Sequence, residues 1–434
     1  MRTLIPTDIP TPQPTTHSLA LRGVSLADGS IVDLAIDDGV ITDIVEPGTV
    51  AAVTSEDLAG FIVTPSFVEP HAHLDKAFTA DDVANPAGSL AGAIEAWLAA
   101  RTGFGTPEIA ARVWAVTSRY LAHGTTAIRA HVDTGQGIDL RALEALTAVR
   151  DQLDDVIDLQ IVALCSRPVT GRAGAENRAL LRAALAAGAD LVGGAPAIDE
   201  DPSGAVDILA AIAGTAGVGM DLHVDETIDP AVFTMDRLIE VVRYGFDRPV
   251  TASHAVSLGV QPAERQQATA EALAGLGIAV VTLPQTNLFL QGRGLGSAAP
   301  RGLTAVRALL EAGVAVAAGG DNLQDPFNPM GRADPLETAS LLVVAAHLLP
   351  AEAHRAVTAA GRVVLGLPPV AVEVGSPADL VAVRATSSYA ALATGSPERV
   401  VVRRGRVVSR TTVQTDTVLA PGLPTPDLAG SPWA

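Results

Sequence analysis

Apolar and polar positions alternate differently at the ends and in the middle of the chain. Between residues 18 and 47, short apolar runs are separated by Asp-Gly pairs, a pattern typical of small antiparallel strands. The same texture returns in ADLVAVRA (378–385) and VVVRRGRVVS (400–409). We therefore predict one small β domain built from both termini, over residues 1–62 and 370–434. The segment after about Leu419 is rich in Pro and Gly and is predicted to be a loose tail.

The middle of the chain alternates between β-branched runs of strand length and Ala/Leu-rich runs of helical period. Eight runs have the composition of strands, namely 61–73, 125–133, 157–165, 189–194, 219–226, 249–254, 278–283 and 314–321. Helical runs such as 140–153 lie between them. Eight strand–helix units predict an α/β fold, a (β/α)8 TIM barrel over residues 63–369. A doubly wound open sheet fits less well, because its Gly-rich first turn is absent.

Composition narrows the class of protein and of partner. Apolar residues make up 48% of 434 residues, which is enough for a large core. The net charge of −19 disfavours nucleic-acid polymers and anionic membrane surfaces as partners, whereas a small neutral or cationic substrate is easier to accommodate. A single cysteine, Cys165, excludes an intrachain disulfide, and residues 1–20 lack the apolar core of a signal peptide. We expect a cytoplasmic protein, and we expect it to be a homo-oligomer.

Polar side chains cluster where the predicted barrel strands end. In TIM barrels, that end is the face on which active sites are built. The residues concerned are His71, His73, His131, Asp133, His223, Glu226, His254 and Asp321.

Four of these residues predict a metal site. His71 and His73 are two apart on one strand, so both imidazoles point to the same side. A bare pair of this kind also describes structural histidines, and an Asp after Gly-Gly also describes a turn. His223 adds a third nitrogen and Asp321 an oxygen, which together make a His₃Asp shell with room for a water. We predict that these four residues bind one divalent metal ion.

A hydrolytic site also needs groups that carry protons. Glu226 follows His223 by three residues and is predicted to transfer protons to the substrate and the leaving group. His254 is predicted to polarise the attacked carbon's oxygen or the attacking water, and Asp321 to accept a proton from that water. The alternatives are an exposed rim glutamate and a structural core histidine.

Lys76, the single lysine of the chain, bears on the number of metal ions. Binuclear enzymes of this general kind bridge their ions with a carboxylated lysine at the end of a mid-barrel strand. Here the third predicted strand ends in Leu164-Cys165-Ser166 and the fourth in Gly193-Gly194. Because Lys76 lies only three residues after His73, a lysine-bridged pair is disfavoured and a single ion is predicted.

The motifs resemble those of the cytosine deaminase branch of the metal-dependent amidohydrolase superfamily. The resemblance covers most of the barrel in family order and includes VEPHAHLDKAF (68–78), RAHVDTG (129–135), DLHVDETID (221–229), TASHAVSLG (251–259) and RGLTAVRALLEAGVAVAAGGDN (301–322). It implies a composite β-sandwich domain at the termini and ligation of Zn²⁺ or Fe²⁺ by His71, His73, His223 and Asp321. It also implies catalysis by Glu226, His254 and Asp321, with hydrolytic loss of ammonia from a cyclic amidine.

Two positions depart from that branch. Ser166 stands where cytosine deaminase has a glutamine that binds the pyrimidine amide edge, and Asn322 stands where a second aspartate is common. Since an unpaired polar edge in a pocket is costly, recognition of cytosine should be weakened. We predict that the substrate is bound by Ser166, Arg167, Asn322, Phe327, His131 and Asp133.

The leading hypothesis is a deaminase of a cytosine-like heterocycle or another cyclic amidine. Two alternatives stay open: a mononuclear amidohydrolase that cleaves a cyclic amide C–N bond, and an inactive barrel that binds a ligand.

Overall fold

The computed structural model describes residues 16–416, and all elements below lie in that range. The strands are β1 Thr16–Ser25, β2 Ile31–Asp37, β3 Val40–Val45, β4 Ala51–Asp57, β5 Phe61–Pro65, β6 Phe67–Ala72, β7 Thr125–Thr134, β8 Asp158–Cys165, β9 Leu191–Gly193, β10 Gly219–Val224, β11 Val250–His254, β12 Ala279–Thr282, β13 Val316–Ala318, β14 Leu380–Arg384, β15 Arg399–Arg403 and β16 Arg406–Thr411. The tail predicted after Leu419 lies outside the described residues.

Helices connect the barrel strands and extend beyond them. They are α1 Leu90–Ala100, α2 Thr106–Ala122, α3 Arg141–Leu153, α4 Ala175–Ala186, α5 Pro202–Ala216, α6 Met235–Arg243, α7 Ala263–Leu276, α8 Pro284–Leu290, α9 Val306–Glu311, α10 Pro335–Ala345, α11 Pro350–Ala356, α12 Ala359–Leu365 and α13 Ser388–Thr394. Within residues 16–416, no helix is both long and apolar enough to cross a bilayer.

Strands β6 to β13 form one parallel sheet in chain order, and this sheet curves into a barrel. A single parallel bridge between Ala72 and Asp321 brings the first and last strands together. The strands are almost wholly buried, because helices cover the outer face, and polar side chains such as Arg129, His131 and Asp221 are buried among apolar ones. The predicted TIM barrel is confirmed, and it places the carboxyl ends of β6, β10, β11 and β13 at one mouth.

The two ends of the chain share a second sheet. Its strand order is β16-β15-β14-β5-β1-β2-β3, and β4 pairs with β1. Leu380–Arg384 from the C-terminal part lies antiparallel to Phe61–Pro65 from the N-terminal part. The predicted small β domain built from both termini is therefore confirmed.

The run 61–73, predicted as one strand, is two strands in two different sheets. Phe61–Pro65 belongs to the terminal sheet, and Phe67–Ala72 begins the barrel after Ser66. The physical reason is that both halves are apolar and extended, so a change of sheet leaves no break in the hydrophobic pattern. The exact domain boundary at 62/63 stays a prediction.

Candidate active site

A cavity of about 530 Å³ opens at the carboxyl ends of the barrel strands. His73, His223 and Asp321 line its floor, and Trp97 and Phe327 contribute aromatic wall. This size and mixed apolar and polar lining are those of a small-molecule site.

The four predicted metal ligands converge beneath this cavity. His73 Nε2 lies 3.2 Å from His223 Nε2 and 3.3 Å from Asp321 Oδ1. His71 Nε2 lies 3.6 Å from the same carboxylate oxygen. Burial lowers the pKa values of His71, His73 and His223 well below the usual imidazole value. These rings are therefore neutral, which is the form that binds metals.

The donor atoms of this cluster fit a metal ion. His71 Nε2 and both carboxylate oxygens of Asp321 are buried with no hydrogen-bond partner among the described residues. Such orphaned atoms are rare in a protein interior, and a bound cation would satisfy them. Two overlapping groups have donor atoms close enough to share an ion: His71 with His131 and His223, and His71 with His254 and Asp321.

His131 lies deeper in the barrel than the other predicted substrate contacts. Its ring stacks on His71 with 3.7 Å between centroids, and it is fully buried. It is not among the described residues that line the cavity. It points inward like Asp133, but it lies two residues, or about 6–7 Å, lower in the barrel. His131 therefore belongs with the histidine cluster, and its predicted contact with substrate stays a prediction.

A chain of buried hydrogen bonds fixes the orientation of His71. Its Nδ1 lies 2.9 Å from the Ser253 hydroxyl, which donates to Asp221 Oδ1 at 2.6 Å. Arg129 in turn donates to Asp221 Oδ2 at 2.8 Å. Such partners set the tautomer and angle of a ligating imidazole. His71 therefore directs Nε2 at the carboxylate of Asp321.

Glu226 and His254 form a second group above the ligands. Glu226 Oε1 lies 3.6 Å from His254 Nδ1, and His254 Nε2 lies 3.9 Å from Asp321 Oδ2. Burial, with a smaller effect of Asp321, raises the pKa of Glu226 well above its usual value. Burial lowers the pKa of His254 to about 4. A carboxyl group that holds its proton more strongly than usual thus faces a neutral imidazole, which suits proton transfer.

The backbone at two of these residues is strained. His254 and Asp321 have φ values of 67° and 62°, in the left-handed region that residues other than glycine rarely adopt. His254 is the last residue of β11, and Asp321 lies three residues after β13. The turn at each position aims the side chain across the mouth of the barrel. Strained residues of this kind cluster at functional sites.

Lys76 and Asp133 form a buried ion pair in the cavity wall. Lys76 Nζ lies 2.9 Å from Asp133 Oδ1 and 3.4 Å from His73 Nδ1. Trp97 Nε1 and Arg101 Nη1 also donate to Asp133, at 2.5 and 3.4 Å. The sequence disfavoured a role for Lys76 in bridging two metal ions. In the structure, Lys76 is the ion-pair partner of Asp133 and a neighbour of His73.

The other predicted substrate contacts occupy different depths of the cavity. Ser166 lines it and accepts a hydrogen bond from Arg101 at 2.9 Å. Arg167 is exposed at the rim. Asn322 is buried and donates to Asp325 Oδ2 at 2.7 Å, whereas Phe327 presents its ring to Lys76. All four lie close enough to contact a ligand in the cavity.

Sequence reasoning missed three residues that touch this site. Trp97 and Arg101 come from α1 and the turn after it, in the long connection between β6 and β7. Asn287 comes from α8 and donates toward Glu226 Oε1 at 3.5 Å, with its Nδ2 3.0 Å from His254 Nδ1. These positions sit on helices or a helical turn without a motif, and the available signal was the apolar helical run at 90–100, in the long connection between the first two barrel strands.

A family comparison agrees with this architecture. The model of the amidohydrolase family, Amidohydro_3, matches residues 106–411, which is more than half of the chain. The chain belongs to the amidohydrolase family. The resemblance inferred from the motifs is thereby confirmed.

Relatives of this amidohydrolase include a pterin deaminase from Rhizobium rhizogenes, 35% identical over 87% of this chain and 88% of the relative. An N-isopropylammelide isopropyl amidohydrolase from a Pseudomonas species is 28% identical over 90% of this chain and 96% of the relative. A crystal structure of 5-methylcytosine deaminase from Klebsiella pneumoniae superposes with a TM-score of 0.84 at 28% identity, covering 92% and 99% of the two chains. These relatives support hydrolysis of C–N bonds in small heterocycles.

Proposed function

We propose that this amidohydrolase is a hydrolytic deaminase that releases ammonia from a cyclic amidine in a nitrogen heterocycle. The observation that carries the proposal is the partly buried Glu226 carboxyl, which lines the cavity 3.6 Å from His254. A hydrolase of this type must protonate the ring nitrogen and the leaving amino group. Desolvation raises the pKa of Glu226 well above its usual value, so this carboxyl holds a proton more strongly than a solvated glutamate does.

One divalent ion, Zn²⁺ or Fe²⁺, would be held by His71, His73, His223 and Asp321. When bound, such an ion lowers the pKa of the hydrolytic water and polarises the substrate. His131 stacks under His71 and restricts the movement of that ring.

The residues of the chain divide the proton transfers among them. Water adds to the amidine carbon while Asp321 accepts one of its protons, and Glu226 donates a proton to the ring nitrogen. Glu226 then takes up a proton from the added oxygen and passes it to the exocyclic nitrogen. The C–N bond breaks, ammonia leaves and a ring carbonyl remains. The proton held on Asp321 then returns to Glu226, so that both carboxyl groups regain their starting states. Neutral His254, held by Asn287, hydrogen-bonds to the added oxygen and fixes its direction.

A two-ring substrate of pterin type fits this cavity better than a single pyrimidine ring. The volume of about 530 Å³ exceeds the needs of cytosine, and Trp97 and Phe327 offer faces to a flat bicycle. The 35% identity with a pterin deaminase supports the same class. Ser166, bonded to Arg101, also lacks the amide that cytosine recognition would require.

Ammonia release from a panel of heterocycles tests the proposal. Zinc-loaded and iron-loaded enzyme should release ammonia from pterins faster than from cytosine or 5-methylcytosine. Mass spectrometry of each product separates the alternatives. A ring-opened product without ammonia would identify the enzyme as a cyclic amide hydrolase. Less than about a tenth of an equivalent of Fe plus Zn after metal-supplemented expression, together with no turnover, would favour an inactive ligand-binding barrel.

A further inference from the structure

The seam between the first and last barrel strands is weakly joined. β6 and β13 are the two end strands of the barrel sheet. Among the described strands, these two share no continuous ladder of hydrogen bonds. Their ends meet only where the amide of Asp321 donates to His71 O at 3.0 Å and the amide of His73 donates to Asp321 O at 3.3 Å. Three of the proposed metal ligands therefore lie at the least paired part of the barrel.

One buried side chain connects both sides of this seam. Glu69 lies within β6 and is 2% exposed. Its Oε1 accepts the amide N–H of His71 at 3.1 Å, and its Oε2 accepts the amide N–H of Gly320 at 2.9 Å. The Tyr120 hydroxyl is a further hydrogen-bond partner of the carboxylate. Glu69 therefore bonds to the backbone on both sides of the seam. On one side it bonds to His71, a proposed ligand, and on the other to Gly320, which directly precedes the proposed ligand Asp321.

These contacts suit a carboxyl group. Two backbone N–H groups point at its two oxygens, and each oxygen accepts one of them. A glutamine would direct its NH₂ at one of the two amides. Each lost bond would leave a buried N–H without a partner.

The glycine pair before Asp321 leaves space for this carboxylate. A Cβ on Gly319 would lie 2.3 Å from Glu69 Oε1 and 3.1 Å from His71 O. Any side chain there would displace the carboxylate or the strand end. The Gly-Gly-Asp sequence therefore has a packing function beyond that of a turn.

We propose that Glu69 is a positioning residue of the metal centre, clamping the ends of β6 and β13 so that His71 and Asp321 face one ion. The inference rests on the proposed metal centre. Glu69 is not among the described residues that line the active-site cavity, so it acts through the ligands and not on substrate.

Zinc affinity by chelator competition tests the clamp, with Glu69→Gln as the main variant. Its melting temperature without metal should fall by a few degrees at most, the effect of one lost buried hydrogen bond. Zinc affinity should fall about 10- to 100-fold, the usual range for groups that orient ligands. Glu337→Gln is the matched control. Glu337 lies near Tyr120 on the far side of the seam, and it bonds to Arg332 instead of to either strand end. This control should retain wild-type zinc affinity.

Gly319→Ala provides an independent test that keeps the carboxylate but displaces it. It should lower zinc affinity in the same direction, and it decides the question alone if Glu69→Gln does not fold. Zinc affinity within about twofold of wild type in a folded variant would overturn the clamp and leave the metal centre intact. Failure of the wild-type protein to bind zinc or iron would instead overturn the metal centre, and the clamp with it.

Discussion

Replacing Glu226 with glutamine should separate turnover from metal binding and folding. The two side chains have nearly the same shape, and Glu226 belongs to neither of the groups whose donor atoms can share an ion. Zinc content should therefore be unchanged. What the variant loses is the titratable proton of the Glu226 carboxyl, whose pKa is raised by desolvation.

The expected loss of activity follows from that geometry. A positioned general acid–base contributes about 10²- to 10⁴-fold, and Glu226 is proposed to act in two transfers, so kcat should fall toward the larger figure. KM should change little, because Gln keeps the cavity surface. Stability should stay equal or rise slightly, since the partly buried carboxyl has Asn287 at 3.5 Å and His254 at 3.6 Å but no close cation among the described residues.

The assay combines steady-state ammonia release, metal analysis and thermal unfolding of the same preparations. Glu226→Asp is a useful companion, because it keeps the acid but withdraws it by one methylene group. A Glu226→Gln enzyme that retains more than about a tenth of wild-type kcat would refute the role assigned to Glu226. Loss of zinc from the variant would show instead that Glu226 belongs to the ligand set.

Three further predictions concern groups around the ligands. Lys76→Met should lower the free energy of unfolding by about 3 kcal/mol in denaturant titrations, because it leaves Asp133 buried with only Arg101 and Trp97 as partners. Ser253→Ala should weaken zinc affinity about tenfold by freeing the His71 ring, and unchanged affinity would contradict this. Burial alone would raise the pKa of the Asp133 carboxyl, but Lys76 and Arg101 lower this pKa below 3.8. The stabilisation from the Lys76–Asp133 ion pair is therefore complete above pH 3.8 and is lost as the pH falls below that value. Asp133→Asn should therefore show a smaller loss of stability between pH 4 and 2.

Much of the fold could be predicted because two periodicities persist over long stretches. The eight barrel strands coincide with apolar runs bounded by helical ones, and both termini show the alternation of a half-exposed sheet. The failure at 61–73 has a specific cause. Phe61–Pro65 pairs with Leu380–Arg384, more than 300 residues away. No feature of the sequence near residues 61–73 indicates that partner.

The site could be predicted where its residues lie at strand ends and not where they come from helices. Barrel geometry directs strand-end residues to one mouth, so His73, His223 and Asp321 could be placed together. Trp97 and Asn287 depend on how α1 and α8 pack over that mouth, which sequence spacing does not determine. The sequence also did not reveal how deep each side chain lies in the barrel. A two-residue step along β7 places His131 below the cavity, whereas Asp133 lies in the cavity wall.

The position of Lys76 gives the enzyme a built-in chemical reporter. It carries the only ε-amino group in 434 residues, and it is 2% exposed in the wall of the cavity. Lysine acylation or reductive methylation therefore labels at most one ε-amino group, and its pKa, raised by Asp133 and Asp75 despite burial, keeps that reaction slow. A molecule seated against Trp97 and Phe327 would cover this amine. Protection of one site in an intact-mass spectrum would then reveal which compounds enter the cavity, including those that are never turned over.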